Sequence, residues 1–221
     1  MASKRRAVGS RWDTGRTEAF SDGVFAIAIT LLVLDINVPE SDFDDLWYGI
    51  AHQWPSYVGY VTSFVTIGGL WLAHHGIFRR IQYADARVTR LNLLLLMVVS
   101  FLPFPTRLMS EAIRDSDAET AAAVFYGTTL LAISIITWAL WNTVARNREL
   151  LKVEVTDEEV RTISRLTAPN IGGYAVGLLL ARLAPQAAVF AFLATSIIAL
   201  LRARGAPPEE SGHERHSRTI A

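Results

Sequence analysis

The sequence holds no cysteine, which removes disulfides, thiolate metal centres and a cysteine nucleophile together. It has no glycine-rich nucleotide loop and no nucleophile–base signature. No catalytic residue, cofactor or bound metal is therefore indicated, and the chain reads as a non-enzyme. Net charge is zero, with 21 Lys and Arg against 21 Asp and Glu, so nothing points to nucleic acid as a partner. Internal repeats of the kind that build transporters are also missing. Adjacent His74 and His75 do not make a metal site: on a helix they point about 100° apart, and no Cys or acidic pair completes the set. A hydrogen-bonding role suits them better.

What is present comes in blocks. Of 221 residues, 51% are hydrophobic, and they gather into stretches nearly free of charge: 57–78, 91–106, 121–145, 168–181 and 185–201. The opening run "FSDGVFAIAITLLVLDI" at 20–36 adds a sixth. Six candidate spans make an all-α integral membrane protein in a multi-pass arrangement in the lipid bilayer. The last two are short, and a helical hairpin or re-entrant pair is their alternative. A signal-peptide reading of the first run fails on the acids Asp13, Glu18 and Asp22 and on the lack of a small-residue cleavage site in "DINVPESD".

Charge fixes an orientation. With the amino terminus in the cytoplasm, 18 of the 21 Lys and Arg lie inside and only Arg107, Arg114 and Arg182 outside, as the positive-inside rule requires. Both termini are then cytoplasmic and the cell membrane is the expected location. Residues 1–15 form a basic cytoplasmic segment, 16–204 the membrane domain, and 205–221 a disordered cytoplasmic tail. "TDEE" at Thr156–Glu159 reads as a capping box opening a cytoplasmic helix near 156–166. "PFP" at Pro103–Pro105 predicts a break near the outer end of the third span. "YVGYVT" at 57–62 resembles a carbonyl filter only by coincidence, since it lies inside a continuous apolar run.

The first run poses the sharper question. Gly23 to Leu34 is only about 18 Å of helix against a hydrocarbon core of about 30 Å. A spanning helix must reach back to about residue 17, which draws Ser21 and Asp22 below the surface. The second span brings Trp71, His74 and His75 to the same depth, and the third brings Asn92. Buried polar groups in lipid must satisfy one another, so Ser21, Asp22, a histidine and Asn92 are expected to form a structural network. A proton relay is the alternative. At ~100° per residue, with Ile27 as origin, Phe20, Val24, Thr30, Leu31 and Leu34 fall within about 60°, and Ser21 and Asp22 beyond roughly 120°. The apolar stripe faces away from the network, towards lipid, another helix or a pore.

"RTEAFSDGVFAIAITLLVLDI", with Arg16 leading into Phe20-Ser21-Asp22, resembles the signature first helix of the lysosomal/endosomal potassium channel family named transmembrane protein 175. "WLAHHGIF" and "NLLLLMVVSFLPFPT" are similar to that family in order and spacing, so the likeness covers about residues 16–110. A single copy resembles the prokaryotic members with one six-helix unit. The resemblance implies a homotetramer whose four first helices line a potassium-permeable pore. It implies Ile27 as the hydrophobic constriction, Leu31 and Leu34 as further apolar layers, and Thr30 as a selectivity element. It places Arg16 and Asp22 in the structural network with His74 or His75. Gly23 stands where Ala is also common. A potassium channel with modest preference over sodium follows, with a proton channel or secondary transporter using the Asp22–His layer as the alternative.

Overall fold

Short polar signals set the helix boundaries. The computed structural model describes residues 14–112 and 118–204; most of the basic leader, Arg114 and the 205–221 tail lie outside the described residues. Helix α1 covers Thr14–Leu31 and tightens into a 3₁₀ turn at Leu32–Asp35. A second 3₁₀ segment, Glu40–Asp45, leads into short α2, Leu46–His52, capped by Asp45, which accepts from the Tyr48 amide at 3.1 Å. Helix α3 runs Trp54–Phe78. Asp85 starts α4, Ala86–Phe101, by accepting from the amides of Arg87 and Val88 at 2.9 and 2.8 Å.

Helix α4 stops at Phe101, and α5, Pro103–Ala112, begins on the first proline of "PFP". Proline has no N–H to give and its ring crowds the preceding turn, so the expected break falls there. Helix α6 runs Glu119–Arg146. Thr156 then opens α7, Asp157–Ala181, through a reciprocal capping box with Glu159. Helix α8 covers Pro185–Arg204. "YVGYVT" lies wholly inside α3, where its carbonyls serve the helix.

Among the described residues, five stretches are long and apolar enough to cross a membrane: Thr14–Asp35, Trp54–Phe78, Ala86–Ala112, Glu119–Arg146 and Pro185–Arg202. That corrects the expected division of the fifth region. The capped 156–166 segment and the 168–181 apolar block are one helix, α7, 25 residues and about 37 Å long. Its backbone continues helical through the proline at position 169; membrane helices tolerate such breaks in the hydrogen-bond ladder. Asp157, Glu158, Glu159, Arg161 and Arg165 in its first turns set it apart from the five apolar stretches.

Helix α1 packs on α3 and α4; α3 packs on α5 and α8; α6, α7 and α8 form a second group joined to the first through α4–α6 and α3–α8. Within that second group, a Cβ at Gly127 would come within 2.5 Å of the Phe192 ring, and so would one at Gly177. Phe192, fully buried on α8, thus wedges between α6 and α7 where neither has a side chain. Buried hydroxyls tie the helices together deeper in: Ser63 bonds Thr106 and Tyr126 at 2.7 and 2.9 Å, and Ser196 bonds Thr66 and Tyr174 at 2.6 and 3.0 Å. Such pairs suit a setting in which apolar contacts alone do not hold one helix to another. At the end carrying Phe78 and Val144, the 79–85 and 147–155 loops are laced by Gln82 N–H to the Leu150 carbonyl (2.8 Å) and Lys152 N–H to the Arg80 carbonyl (3.0 Å). They close over a small core around Trp141.

Candidate functional site

Helix α1 has two faces with opposite fates. Ser21, Phe25, Ala28 and Leu32, spaced four, three and four apart, are fully buried against α3 and α4. The other face carries Phe20, Ile27, Thr30, Leu31 and Leu34, all exposed; Ile27 is 61% and Leu34 72% accessible. An open groove of about 380 Å³ runs beside this face, between Ile27 and Leu31 of α1 and Leu93 and Met97 of α4. The helical-wheel division expected from spacing is the division seen except at Val24, which is half-buried against the core.

The buried face is locked by a one-way chain of donors. His74, 1% exposed, places Nε2 2.7 Å from Asn92 Oδ1. Asn92 Nδ2 donates to Ser21 Oγ at 3.0 Å, and Ser21 Oγ donates to the Thr17 carbonyl at 2.8 Å. Since the Asn92 oxygen can only accept, the His74 proton sits on Nε2. Nδ1 of the same ring is buried without a partner among the described residues. The ring stacks on Phe78 at 4.3 Å and tilts against Phe25 at 5.3 Å. Three consecutive spanning helices, α1, α3 and α4, are therefore pinned at one layer by groups with no polar alternative in lipid.

Asp22 is held elsewhere. Its Oδ1 accepts from the Trp71 indole N–H at 2.8 Å, and His75 Nδ1 lies 2.8 Å from Glu18 Oε1, an ion-pair contact without the alignment of a hydrogen bond. Glu18 and Asp22 are four apart on α1, and Trp71 and His75 four apart on α3, their rings stacked at 5.8 Å. The two pairs form consecutive rungs between antiparallel helices. Neither histidine bonds Asp22, which differs from the expected arrangement: the adjacent rings diverge, one to Asn92 and one to Glu18. Arg16 is exposed on the first turn of α1 and stands outside both sets of bonds. Trp71 and Glu18 are the functional-layer residues that sequence reasoning left without a role. Matching i, i+4 spacings on two successive spans were the signal.

Asp22 is hydrogen-bonded to an indole, which only donates, and His74 Nε2 meets a carboxamide that does not titrate. On the exposed face, Thr30 Oγ1 donates to the Ile27 carbonyl at 2.9 Å. The hydroxyl proton is thus engaged with its own helix, one residue along from the Ala26 carbonyl that spacing suggests, and the oxygen lone pairs stay free to accept or coordinate.

A family model described as endosomal/lysosomal potassium channel TMEM175 matches residues 16–103, the stretch that contains every residue above. The chain is 45% identical over 144 residues to a potassium channel of Streptomyces collinus, covering 65% of this chain and 70% of that one. It superposes on the crystal structure of a lysosomal potassium-selective channel TMEM175 homologue from Chamaesiphon minutus with a TM-score of 0.78 and 38% identity, over 86% of this chain and 97% of the other. It is also 39% identical over 137 residues to the endosomal/lysosomal proton channel TMEM175 of Gallus gallus, spanning 58% of this chain but 27% of that longer one.

Proposed function

The chain belongs to the endosomal/lysosomal potassium channel family TMEM175 and is an ion channel in a membrane, not an enzyme; from that premise we propose that it is a potassium-permeable pore gated by side chains of α1. One observation carries the reading. Helix α1 is anchored on one face by buried Ser21, Phe25, Ala28 and Leu32, while the opposite face leaves Ile27, Thr30, Leu31 and Leu34 uncovered in the protomer.

Four copies around an axis bring those faces together. Ile27 then forms a ring too apolar to wet, with Leu31 and Leu34 as further layers outward, and a hydrated cation meets a barrier that falls when the ring widens or hydrates. Thr30, one turn beyond Ile27, adds a ring of oxygens. With its proton engaged by the Ile27 carbonyl, each oxygen presents lone pairs to the axis and replaces part of a potassium ion's water. A single neutral ring gives modest preference for K⁺ over Na⁺, since steep selectivity needs several carbonyl layers. The Ser21–Asn92–His74 chain and the Asp22–Trp71 rung serve the pore indirectly by fixing the rotation of α1 about its own axis.

In this reading the protein is a homotetramer of six spans per chain, α7 crossing beside the five more apolar ones. Both termini face the cytoplasm of a cell-membrane channel. Potassium and other monovalent cations, the other three subunits and the bilayer are its partners. Ion flux from liposomes holding the purified protein, read separately for K⁺, Na⁺ and H⁺, tests it. Flux of K⁺ above Na⁺ that rises on widening Ile27 is expected, and flux of H⁺ alone would return the assignment to a proton channel.

A further inference from the structure

Away from α1, a narrow slot of about 70 Å³ opens between the last turns of α3 and the first turns of α7, with α8 beside it. Leu72 on α3 and Ile163 and Leu166 on α7 form apolar walls, Ala199 lines the α8 side, and Arg80 and Arg202 line the same slot. Arg80 is incompletely satisfied. Its Nη1 donates to the Gly76 carbonyl at 2.7 Å, and its Nη2 is 3.6 Å from Glu159, an ion-pair distance too long for a hydrogen bond. Its Nε is buried with no partner among the described residues. A guanidinium N–H left unpaired in such a place costs free energy, and it recovers that cost when an anion arrives.

The location narrows the anion. The slot opens at the end of the bundle where Arg79 and Arg80 follow α3, Arg146 ends α6, Arg161 and Arg165 lie early in α7 and Arg202 lies in the last turn of α8, the end that meets headgroups when these helices cross a bilayer. A soluble anion needs no apolar wall, whereas a lipid brings phosphate and hydrocarbon together. We propose that this slot binds an anionic phospholipid, with the phosphate between Arg80 and Arg202 and part of one acyl chain between Leu72 and Leu166. Glu159, the acid facing Arg80, competes with that phosphate and sets how tightly it is held. Basic crevices between spanning helices on the cytoplasmic side suit such headgroups. The site is separate from the α1 face and stands whether or not α1 lines the pore.

The test uses the full-length protein in an uncharged detergent, with phosphatidylglycerol, phosphatidylcholine or inorganic phosphate added and bound lipid counted by native mass spectrometry. Phosphatidylglycerol is expected to bind at least fivefold more tightly than phosphatidylcholine, about the contribution of one arginine at an anionic surface. Arg202→Gln should remove about that factor for phosphatidylglycerol and leave phosphatidylcholine unchanged. Ala199→Leu should fill the slot and weaken binding with both arginines present. Glu159→Gln preserves the capping box and should tighten phosphatidylglycerol, a gain that a purely structural Arg80–Glu159 pair would not produce. Equal binding of the two lipids, or phosphatidylglycerol binding unchanged in both Arg202→Gln and Ala199→Leu, overturns the proposal. So does displacement of the lipid by inorganic phosphate alone, which would make the slot a free-anion site.

Discussion

Helices α1 and α8 are alike in one respect and opposite in another. In the most apolar stretch of each, 22% of residues are buried, half the 44% found for the Trp54–Phe78, Ala86–Ala112 and Glu119–Arg146 spans. Both therefore present a large uncovered face. On α8 that face is Phe190, Ile197, Ile198 and Leu201, with exposed Ala187 and Ala194 between them and no exposed hydroxyl. On α1 it mixes Ile27, Leu31 and Leu34 with Gly23, Ala26 and Thr30, small or hydroxylated residues that let helices approach closely. The inner faces differ too. Helix α8 is fixed by the Phe192 wedge and the Ser196 hydroxyl, whereas α1 is fixed by a donor chain that runs through a side-chain amide to a buried histidine. Exposure alone does not separate a lipid face from a pore face. In the proposed reading it is the Thr30 hydroxyl and the locked rotation that set the α1 face apart.

The largest expected effect breaks the comparison directly. Ile27→Ser should raise potassium efflux from liposomes on the order of tenfold or more by hydrating the constriction. Ile197→Ser, the same change on α8, should leave efflux at the wild-type level. Equal effects at the two positions would reduce the α1 face to ordinary lipid contact.

Anchoring comes next in size. Asn92→Ala strands the His74 N–H in a buried site and removes the donor to Ser21, so stability should fall by roughly 2 kcal/mol or more, read as a lowered thermal midpoint in detergent. Trp71→Phe takes one donor from a partly exposed Asp22 and should cost about 1 kcal/mol or less. If the order were reversed, the Asp22 rung and not the Ser21–Asn92–His74 chain would be what orients α1.

The smallest effect sharpens the chemistry of the face. Thr30→Ala should move the K⁺/Na⁺ permeability ratio towards one, while Thr30→Ser keeps the oxygen and largely preserves it. Reversal potentials under opposed K⁺ and Na⁺ gradients read the difference, and identical ratios in all three proteins would remove Thr30 from selectivity.

Much of this was legible before any coordinates. The Ser21–Asp22 pair, too close to an apolar run to stay in water, announced a buried polar layer, and helical spacing separated it from the Ile27 stripe. Pro103 and Thr156 marked a helix break and a helix start by backbone chemistry that tertiary context did not override. Trp71 was placed at Asp22's depth but not paired with it, because its single N–H counts only when a carboxylate meets it and a histidine looked the better partner. The two histidines were ambiguous because adjacent positions on a helix diverge, and only the placement of α4 and Glu18 assigns each its neighbour. The unity of α7 was hidden by its change of composition, charged as far as Arg165 and apolar from Ala168, which reads as a cytoplasmic helix followed by a separate span.

The absence of native cysteine makes the most direct test of a pore on α1 clean. Single variants Ile27→Cys, Leu34→Cys and Ile197→Cys are reconstituted, and K⁺ flux is followed while a charged, water-soluble thiol reagent is added. The account predicts rapid modification at Leu34→Cys, near the outer mouth, with loss of flux. Ile27→Cys should react when the pore is open and then block it, and Ile197→Cys should stay inert in lipid. Modification of Ile197→Cys with loss of flux, while Ile27→Cys and Leu34→Cys remain unreactive in conducting protein, would contradict it.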